Sequence, residues 1–600
     1  MCKYSHRNNR KNIYTIKIFI DKRRREFPQY YIMSNQEIMY LYGHKKDEKI
    51  LKRIINRLYP WVKDIIFNYN IDNYGNDEYI KINTVDNEII LFKNVKGLKE
   101  LKDYIDIISN ELIKRMKERF KAHKKNNDIM YKNKSTKKIN DVLNPIITDV
   151  NGNLLIQEIF NCVYYSVMDC AEKSLKSNDV FDKLFELYNI CKLDITSEII
   201  KIINEDKNGV NRIKYFCLLG LINYLIGFLE NLMHDDVQSP SDFSFIKYLN
   251  PKIESDTLIF YLLGNLCSIE YGYEYVGKIN SFLLLNSNEK MFIEIMSAYE
   301  YYKRPIIINE NYIKVENDNN SLNKISTSLS YDNISILCLF LGKNIKDYTC
   351  NKNTDINIFK SLLCAYCKCG PWIRFNNIYN LNSIHDFEII SNQIIEVYYQ
   401  IKHSDEEFIS INNGNKIIIN NKNFNIFINY NDDDFDNKNK DLFYKNIYHY
   451  YRTINYIQIN LEFYIQMNMI NLGFINYELI MNKILVILKY IYCKLFCNLL
   501  NCSEKSFIYF FFDFIVKRII HNKNYQIQIN NEISNNMSLI SINEYENNII
   551  YQEIKNIIEI CYKNRINNDV YKNILNNLEQ IFNIKKLEKD DKKRKTKILK

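Results

Sequence analysis

The chain contains 600 residues, several times the length of a domain with one hydrophobic core. Hydrophobic residues make up 46% and charged residues 25%, which is the balance of a globular rather than a disordered protein. Only 14 glycines and 7 prolines occur, and this shortage excludes collagen-like chains and disfavours hairpin-rich sandwiches, whose turns need glycine. The composition therefore predicts a mostly helical protein.

The net charge of +10 is concentrated in three short segments. Residues 1–26, 112–138 and 585–600 carry balances of +7, +9 and +6, so the rest of the chain stands at −12. A nucleic-acid-binding protein needs a basic main surface to neutralise phosphates, and an acidic body argues against that class. The basic ends still allow contact with nucleic acid or with a nuclear import receptor.

Cysteine usage and hydropathy indicate the compartment. Fifteen cysteines are too few for a disulfide framework, and no signal peptide precedes them, so reduced thiols predict a cytoplasmic or nuclear protein. An organellar transit peptide is the alternative interpretation of the Arg-rich start. The longest apolar segment, 215–229, is shorter than the roughly 20 residues that cross a bilayer. It contains Asn223 and predicts a buried core helix in a soluble protein.

The first quarter of the chain predicts a basic arm over 1–30 and a small α+β module over 31–150. A helical segment over 34–70 is broken by Pro60, because proline lacks the amide hydrogen that a helix needs. Alternating apolar residues over 79–92 predict a hairpin. A charged helix over 98–125 and a polar linker over 126–152 follow, and this module indicates no function.

Residues 153–404 predict stacked helical repeats. Apolar helices recur with a mean advance of about 34 residues, close to the period of two- or three-helix solenoids. Three of them end in Leu-Gly, at 219–220, 263–264 and 341–342. One helix pair cannot bury its apolar face alone, so pairs stack into a continuous core with an exposed groove. The pattern predicts an armadillo/HEAT-like register.

The best-defined predicted repeat is Ser255–Ile279, in which Leu258, Leu262 and Leu266 form one stripe at helical spacing. Residues 355–370 repeat this pattern. Residues 405–440 are Asn-rich and predict a surface insertion or disordered loop. Further helical repeats or a bundle are predicted over 441–582, with a basic tail over 583–600. The predicted fold class is all-α, an armadillo/HEAT-like solenoid preceded by the small α+β module.

The motifs of nucleotide-dependent and hydrolytic enzymes do not occur in the sequence. No Gly-x-Gly is present, and neither Gly277-Lys278 nor Gly342-Lys343 is followed by Ser or Thr, as a phosphate-binding loop requires. No Gly-x-Ser-x-Gly or His-Glu-x-x-His occurs either. The sequence therefore predicts a protein that is not an enzyme, with no catalytic residue and no cofactor.

Two segments superficially resemble metal sites. The run Cys364-x-x-Cys367-x-Cys369 lacks a second ligand pair, and its cysteines are interpreted as small core residues. The acidic run 432–436 lacks the glycine and the bidentate glutamate of a calcium loop. No metal is predicted.

Four residues near the predicted repeat joints are candidates for protein binding. Tyr271, Tyr273, Trp372 and Arg374 are expected to be exposed, and these residue types are the usual anchors of protein interfaces.

The segment SDTLIFYLLGNLCSIEYGYEYVGKI resembles the armadillo-type repeat of the proteasome regulatory-particle assembly chaperones, the 26S proteasome non-ATPase regulatory subunit 5 family. YDNISILCLFLGKNIKDYTC and FKSLLCAYCKCGPWIRFNNIYNLNSIHDFEIISNQ are similar to its later units, so the resemblance covers about 205–405. It implies a non-enzymatic chaperone that binds an ATPase subunit of the proteasome base during assembly. Two alternatives remain: another armadillo adaptor, and a nucleic-acid-associated protein that uses the basic N-terminal module and tail.

Overall fold

The structure is a computed structural model, and it describes about half of the chain. The described residues are 14–24, 33–43, 48–59, 61–68, 79–85, 88–92, 101–132, 154–205, 212–276, 288–302, 305–309, 333–350, 372–376, 384–403 and 425–430, with five short strands and some isolated positions. The first 13 residues, nearly all of the predicted unit 355–370, most of 441–582 and the tail 583–600 lie outside the described residues.

Residues 1–203, 212–311 and 330–457 form one compact unit, and residues 204–211, 312–329 and 458–600 form a second. The described part of the chain contains β-sheets as well as helices. The prediction of an all-α armadillo/HEAT-like solenoid is therefore wrong, and the fold is mixed α/β. Short apolar strands were mistaken for helices, because periodicity alone does not separate the two at this length.

The N-terminal part of the first unit is a three-stranded antiparallel sheet next to two helices. Its elements are α1 (Asn35–Gly43), α2 (Glu48–Leu58), β1 (Val62–Asn68), β2 (Tyr79–Thr84) and β3 (Ile89–Phe92). The predicted hairpin is confirmed, since β2 pairs antiparallel with β3. The helix predicted over 34–70 is right only as far as residue 58, because the chain after Pro60 is strand β1.

A layer of long helices follows the sheet. It consists of α3 (Leu101–Lys132), α4 (Ile156–Leu175), α5 (Val180–Asn189), a π-helical segment (Ile190–Ile195), α6 (Thr196–Glu205) and α7 (Arg212–His234). Helix α4 is buried on almost every side and packs against α3, α5 and α7. Its buried residues include Gln157, Glu158 and Asn161 as well as apolar side chains, so α4 lies at the centre of this layer.

Helix α7 contains the apolar segment of the sequence. Within the described residues, its stretch Cys217–His234 is long and apolar enough to cross a membrane, judged by length and composition alone. More than half of the stretch is buried inside the protein, with Leu221, Leu225 and Phe228 fully enclosed. The prediction of a buried core helix here is confirmed.

The best-defined predicted repeat is an antiparallel meander and not a helix. After a short helix α8 (Phe243–Ile246) come β4 (Asn250–Glu254), β5 (Thr257–Leu262) and β6 (Cys267–Glu270). Ser255 and Asp256 have positive φ values of 45° and 70° and form the turn between β4 and β5, instead of capping a helix. Alternate residues of β5 are buried, so its period is two.

The C-terminal part of the first unit is a five-stranded parallel sheet. Its helices are α9 (Asn288–Ser297), α10 (Asn333–Leu341) and α11 (Ile384–His403), and its strands are β7 (Ile306–Asn309), β9 (Ile345–Thr349), β10 (Trp372–Asn376), β13 (Asn425–Tyr430) and β14 (Arg452–Asn455). Every pairing is parallel, in the order β14-β7-β13-β10-β9. Numbered along the chain, the strands therefore lie in the order 5-1-4-3-2, a doubly wound topology.

The central strands of the parallel sheet are fully buried, as strands covered on both faces are. Trp372, Ile373 and Phe375 of β10 are 0% exposed, and Ile426 and Phe427 of β13 are equally enclosed. The prediction of a surface insertion or disordered loop over 405–440 is therefore wrong for the β13 residues. The same segment also contains the small hairpin of β11 (Phe408–Ser410) and β12 (Lys416–Ile418).

The second unit is described over only a few residues. Strand β15 (Gln458–Asn460) pairs with β8 (Ser328–Ser330), of which residues 328 and 329 belong to this unit.

Candidate functional site

The carboxyl edge of the parallel sheet has the topology of a ligand-binding site. The chain leaves β7 towards β9 and leaves β13 in the opposite direction towards β14, so the winding reverses between the adjacent strands β7 and β13. Ligands of open α/β sheets bind at the carboxyl ends of the strands, at such a switch point. Here Asn429 Nδ2 donates to Asn376 Oδ1 over 2.8 Å. The neighbouring strand ends thus present amides.

The chemistry of this edge differs from that of a P-loop site. A P-loop follows a strand as Gly-x-x-x-x-Gly-Lys-[Ser/Thr], and a carboxylate helps to hold Mg²⁺. The eleven residues after β7 are ENYIKVENDNN and contain no glycine. Among the described residues there is no group of three or more His, Cys, Asp or Glu that would hold a metal ion. A nucleotide at this edge would meet Asn376 and Asn429 where a P-loop enzyme uses charged groups.

Gly272-x-x-x-x-Gly277-Lys278 comes within one residue of the P-loop pattern, but Ile279 stands in the Ser/Thr position. Residues 271–276, YGYEYV, follow strand β6 and are called the tyrosine segment below. Its amides already have partners: Gly272 N donates to Leu341 O and Glu274 N donates to Gly342 O, each over 2.8 Å. Backbone N–H groups that are bonded inside the protein cannot also cradle a phosphate.

The tyrosine segment is held against helix α4 by one glutamine. Gln157 Nε2 donates to Tyr271 Oη over 2.5 Å and to Glu274 O over 2.8 Å. Val276 N donates to Gln157 Oε1 over 3.0 Å. Because this side chain is buried, losing it would leave several polar groups unpaired.

The same segment is also tied to the N-terminal sheet. Tyr275 Oη donates to Glu88 Oε2 over 2.6 Å, and Ile156 N, at the start of α4, donates to Glu88 Oε1 over 2.7 Å. The Tyr275 ring lies 4.8 Å from the Trp61 ring, measured between centroids. Glu88 thus bridges α4 and the tyrosine segment from the turn before β3.

The other side of the tyrosine segment packs on the joint between α10 and β9. Gly342 has a φ of +58°, and a Cβ there would lie only 2.3 Å from the Tyr271 ring. Asn344 N donates to Glu274 Oε2 over 2.7 Å. Only glycine permits both this backbone conformation and this close approach.

Lys343 is the buried cation of this joint. It is 4% exposed, and its Nζ lies 5.2 Å from the centroid of the Tyr299 ring and 5.7 Å from that of Trp372. Burial lowers the pKa of Lys343 to about 8, while the nearby Glu274 carboxylate acts to raise it. Burial raises the pKa of Glu274, and Asn344 and Lys343 oppose that shift. The ammonium is thus stabilised by a carboxylate and two aromatic faces.

The four predicted protein-binding residues are all in the interior. Tyr271 is 2% exposed, Tyr273 8%, Trp372 0% and Arg374 8%. Their expected exposure is wrong, because they lie on strand β10 and in the packed tyrosine segment and not at the joints of helical repeats. Arg374 forms a bidentate ion pair with Asp347 over 2.5 and 3.0 Å. A protein-binding role for these residues stays a prediction.

The structure brings Tyr271 and Trp372 to the two sides of one polar cluster, around Gly342 and Lys343. Gln157, Glu88 and Glu274 complete that cluster and were not foreseen. Their partners are 68 to 187 residues away along the chain, so no local pattern identifies them. In the sequence, the Gly342-Lys343 pair stands out only as an incomplete phosphate-binding motif.

Three cations of the basic cluster over 112–138 are bonded within the protein. Lys121 pairs with Asp256 over 2.7 Å, and Lys124 Nζ donates to Ile253 O over 2.6 Å. Arg115 pairs with Glu158 over 2.9 Å. These contacts attach helix α3 to the meander and to α4, which leaves this cluster fewer cations for phosphate contacts.

A buried carboxyl on α9 gives a testable pH dependence. Glu289 is 7% exposed, and burial raises its pKa to about 8 from the usual value of 4.5. The folded protein therefore binds this proton more tightly than the unfolded chain, so Glu289 should make stability fall as pH rises from about 4.5 to about 8. The free energy of unfolding of wild type should drop relative to that of Glu289→Gln by about 1.4 kcal/mol per pH unit. Urea unfolding from pH 5 to pH 8 measures this difference, and parallel pH profiles would contradict the assignment.

No protein-family model matches the chain. The chain is similar to dynein heavy chains: 20% identical over 419 residues to "Dynein heavy chain-like protein 1" of Plasmodium falciparum, and 16% over 402 residues to "Dynein-1-beta heavy chain, flagellar inner arm I1 complex" of Chlamydomonas reinhardtii. It is 17% identical over 375 residues to human "Cytoplasmic dynein 2 heavy chain 1". These matches cover 66%, 65% and 60% of this chain. The chain spans about 8% of the length of these relatives.

These similarities overturn two predictions. The resemblance to proteasome assembly chaperones is wrong, because the extended similarity is to dynein heavy chains. The prediction that the chain is not an enzyme is wrong as well, because dynein heavy chains are ATPases. The predicted protein partner and the cytoplasmic or nuclear location stay predictions.

Proposed function

We propose that this chain is a module of a dynein-type heavy chain, an ATPase, and that it couples a helical layer to the parallel sheet of the motor. The observation that carries the proposal is the similarity to dynein heavy chains from three distant organisms over 375 to 419 residues. The doubly wound parallel sheet supports it, because such sheets place ligands at their carboxyl edge.

The polar cluster around the tyrosine segment supports the coupling role. Gln157 belongs to the helical layer, and Lys343 stands at the entry to strand β9, one residue before Asn344. The tyrosine segment is hydrogen-bonded to both sides. A small shift at the sheet would therefore be passed to α4 through hydrogen bonds and a packed ring, because packed cores transmit displacement and do not absorb it.

The carboxyl edge of the parallel sheet carries neutral amides, which limits what this chain alone would contribute to ATP binding. Asn376 and Asn429 are neutral, and the sequence has no complete P-loop motif. Contacts to Mg²⁺ and to the terminal phosphates of ATP need charged groups and a backbone cradle. In a dynein-type assembly, these contacts would draw on other segments of the heavy chain.

Affinity capture of the intact tagged chain from the cells that make it tests the proposal. We expect subunits of a dynein-type complex among the enriched proteins, at levels well above those from a strain with an untagged chain. A tagged proteasome ATPase subunit is the matched control, and it should not recover this chain. Enrichment of proteasome ATPases without dynein subunits, or recovery of the chain alone, would contradict the proposal.

A further inference from the structure

Helix α5 carries an exposed row of aromatic rings that the proposed coupling role does not use. Phe181 is 56% exposed and Phe185 48%, although both are large apolar residues. The Phe181 and Phe185 ring centroids are 6.3 Å apart with planes 5° from parallel. The Phe185 and Tyr188 centroids are 6.2 Å apart with planes at 22°. These three residues are called the aromatic stripe.

The stripe is a second face of α5, separate from its core face. Val180, Leu184 and Leu187 are buried and hold the helix on the protein. The stripe residues follow each other by four and three positions, so they form one row about 10 Å long on the outer side. Exposed apolar rows of this kind mark interaction surfaces.

The helix changes its geometry directly after the stripe. Ile190–Ile195 is π-helical, and Leu193 within it is 61% exposed. Single π turns in helices are frequent at functional sites.

Charges around the stripe indicate the partner. Residues 178–194 contain four acids and two lysines, and Glu230 of α7 adds a fifth acid. Lys192 is already committed, since its Nζ lies 4.9 Å from the centroid of the Tyr188 ring. Tyr188 Oη in turn donates to Glu230 Oε1 over 2.9 Å. One ammonium thus already lies against the Tyr188 ring, whose hydroxyl is bonded to the Glu230 carboxylate.

We propose that the aromatic stripe docks a basic amphipathic helix of a protein partner. Apolar residues of that helix would pack along Phe181 and Phe185, and its lysines or arginines would meet the acids that flank the row. A membrane surface does not fit, because binding to anionic lipid needs lysines and arginines beside the apolar face. This docking surface does not depend on the proposed motor role.

Fluorescence anisotropy with the intact chain tests the docking surface. The probe is a labelled peptide of leucine and lysine with leucines at helical spacing, and the control peptide replaces every lysine by glutamate. We expect the lysine peptide to bind wild type and the double variant F181A/F185A to raise its Kd by about tenfold or more, or about 1.4 kcal/mol. Phe243→Ala removes a phenylalanine of α8 that is 65% exposed and should leave the Kd unchanged.

A second variant tests the charge. Asp182→Lys should weaken binding of the lysine peptide several-fold, and more strongly at low salt than at high salt. Equal Kd values for wild type and F181A/F185A, or equal binding of the glutamate peptide, would overturn the proposal. A wild-type dimer in sedimentation that is absent in F181A/F185A would also overturn the proposal, because the partner on the stripe would then be a second copy of the chain.

Discussion

Replacing Gly342 by alanine is expected to destabilise the protein by about 3 kcal/mol or more. A left-handed backbone costs an ordinary residue roughly 1–2 kcal/mol, and overpacking of a filled core adds about 1–3 kcal/mol. Gly342 meets both conditions, with a φ of +58° and the Tyr271 ring 2.3 Å from its missing Cβ. Urea unfolding followed by tryptophan fluorescence measures the change, since Trp372 lies beside Lys343 in the same cluster.

Gly264 is the matched control for this substitution. Its φ of +72° is just as unfavourable for alanine, but a Cβ there would meet nothing within 4 Å. Gly264→Ala should therefore cost only about 1–2 kcal/mol, the backbone part of the effect. Equal losses at the two glycines would show that the Tyr271 ring moves aside freely. The tyrosine segment would then be a poor link between α4 and the sheet.

The two glycines also show what the sequence could reveal. Leu263-Gly264 and Leu341-Gly342 look alike and were interpreted as the same repeat joint. Leu341-Gly342 does end a helix, with glycine in the left-handed conformation that commonly terminates helices. Leu263-Gly264 instead turns the chain between β5 and β6.

The apolar pattern of Ser255–Ile279 is compatible with the period of a helix and with that of a strand. Leu258, Leu262 and Leu266 are four residues apart, which is compatible with a helix, but 4 is also twice the strand period. Leu258 and Leu262 are buried, while Leu266 is 64% exposed and lies in the turn. The helical stripe fails at its third member, and only the sheet pairing reveals this.

Parallel strands were the hardest elements to predict. Strand β13 lies in an Asn-rich stretch, yet Ile426, Phe427 and Ile428 form the centre of the sheet. Its partners β7 and β10 come from more than 100 and about 50 residues earlier in the chain. Such pairings depend on tertiary contacts, which hydrophobic patterns do not encode. The long helices α3 and α7 were predictable, because their apolar patterns extend over many turns.

Removing the charge of Glu274 should destabilise the protein by about 1–3 kcal/mol, because the Glu274 carboxylate favours the charged form of the buried Lys343. Glu274→Gln keeps the shape of the side chain and removes only the charge. Lys343→Met removes the cation and keeps the apolar stem. In the double variant E274Q/K343M neither charge remains. Its loss should be smaller than the sum of the single losses by about 1–3 kcal/mol.

The exposed pair Lys121–Asp256 provides the matched control. Its side chains are 48% and 56% exposed, so K121M, D256N and their double variant should show a coupling much weaker than that between Glu274 and Lys343. Urea unfolding of both sets of variants measures the two couplings. Similar values at the two pairs would mean that Lys343 is screened by solvent, and would contradict its role as the buried cation of the joint.

The pH dependence of Glu274→Gln gives an independent test of the same cation. The pKa of Lys343 is lowered by burial to about 8 in the folded protein, from its usual value of 10.5. The unfolded chain therefore binds this proton more tightly, and stability gains from Lys343 as pH rises from about 8 to about 10.5. In E274Q the charged form of Lys343 is still less favourable than in wild type. The loss of stability of E274Q relative to wild type should therefore shrink when the pH is raised from 7 to about 9.5, because Lys343 then loses its charge. A loss that stays constant over this range would mean that Glu274 acts through its hydrogen bond to Asn344 and not through the charge of Lys343.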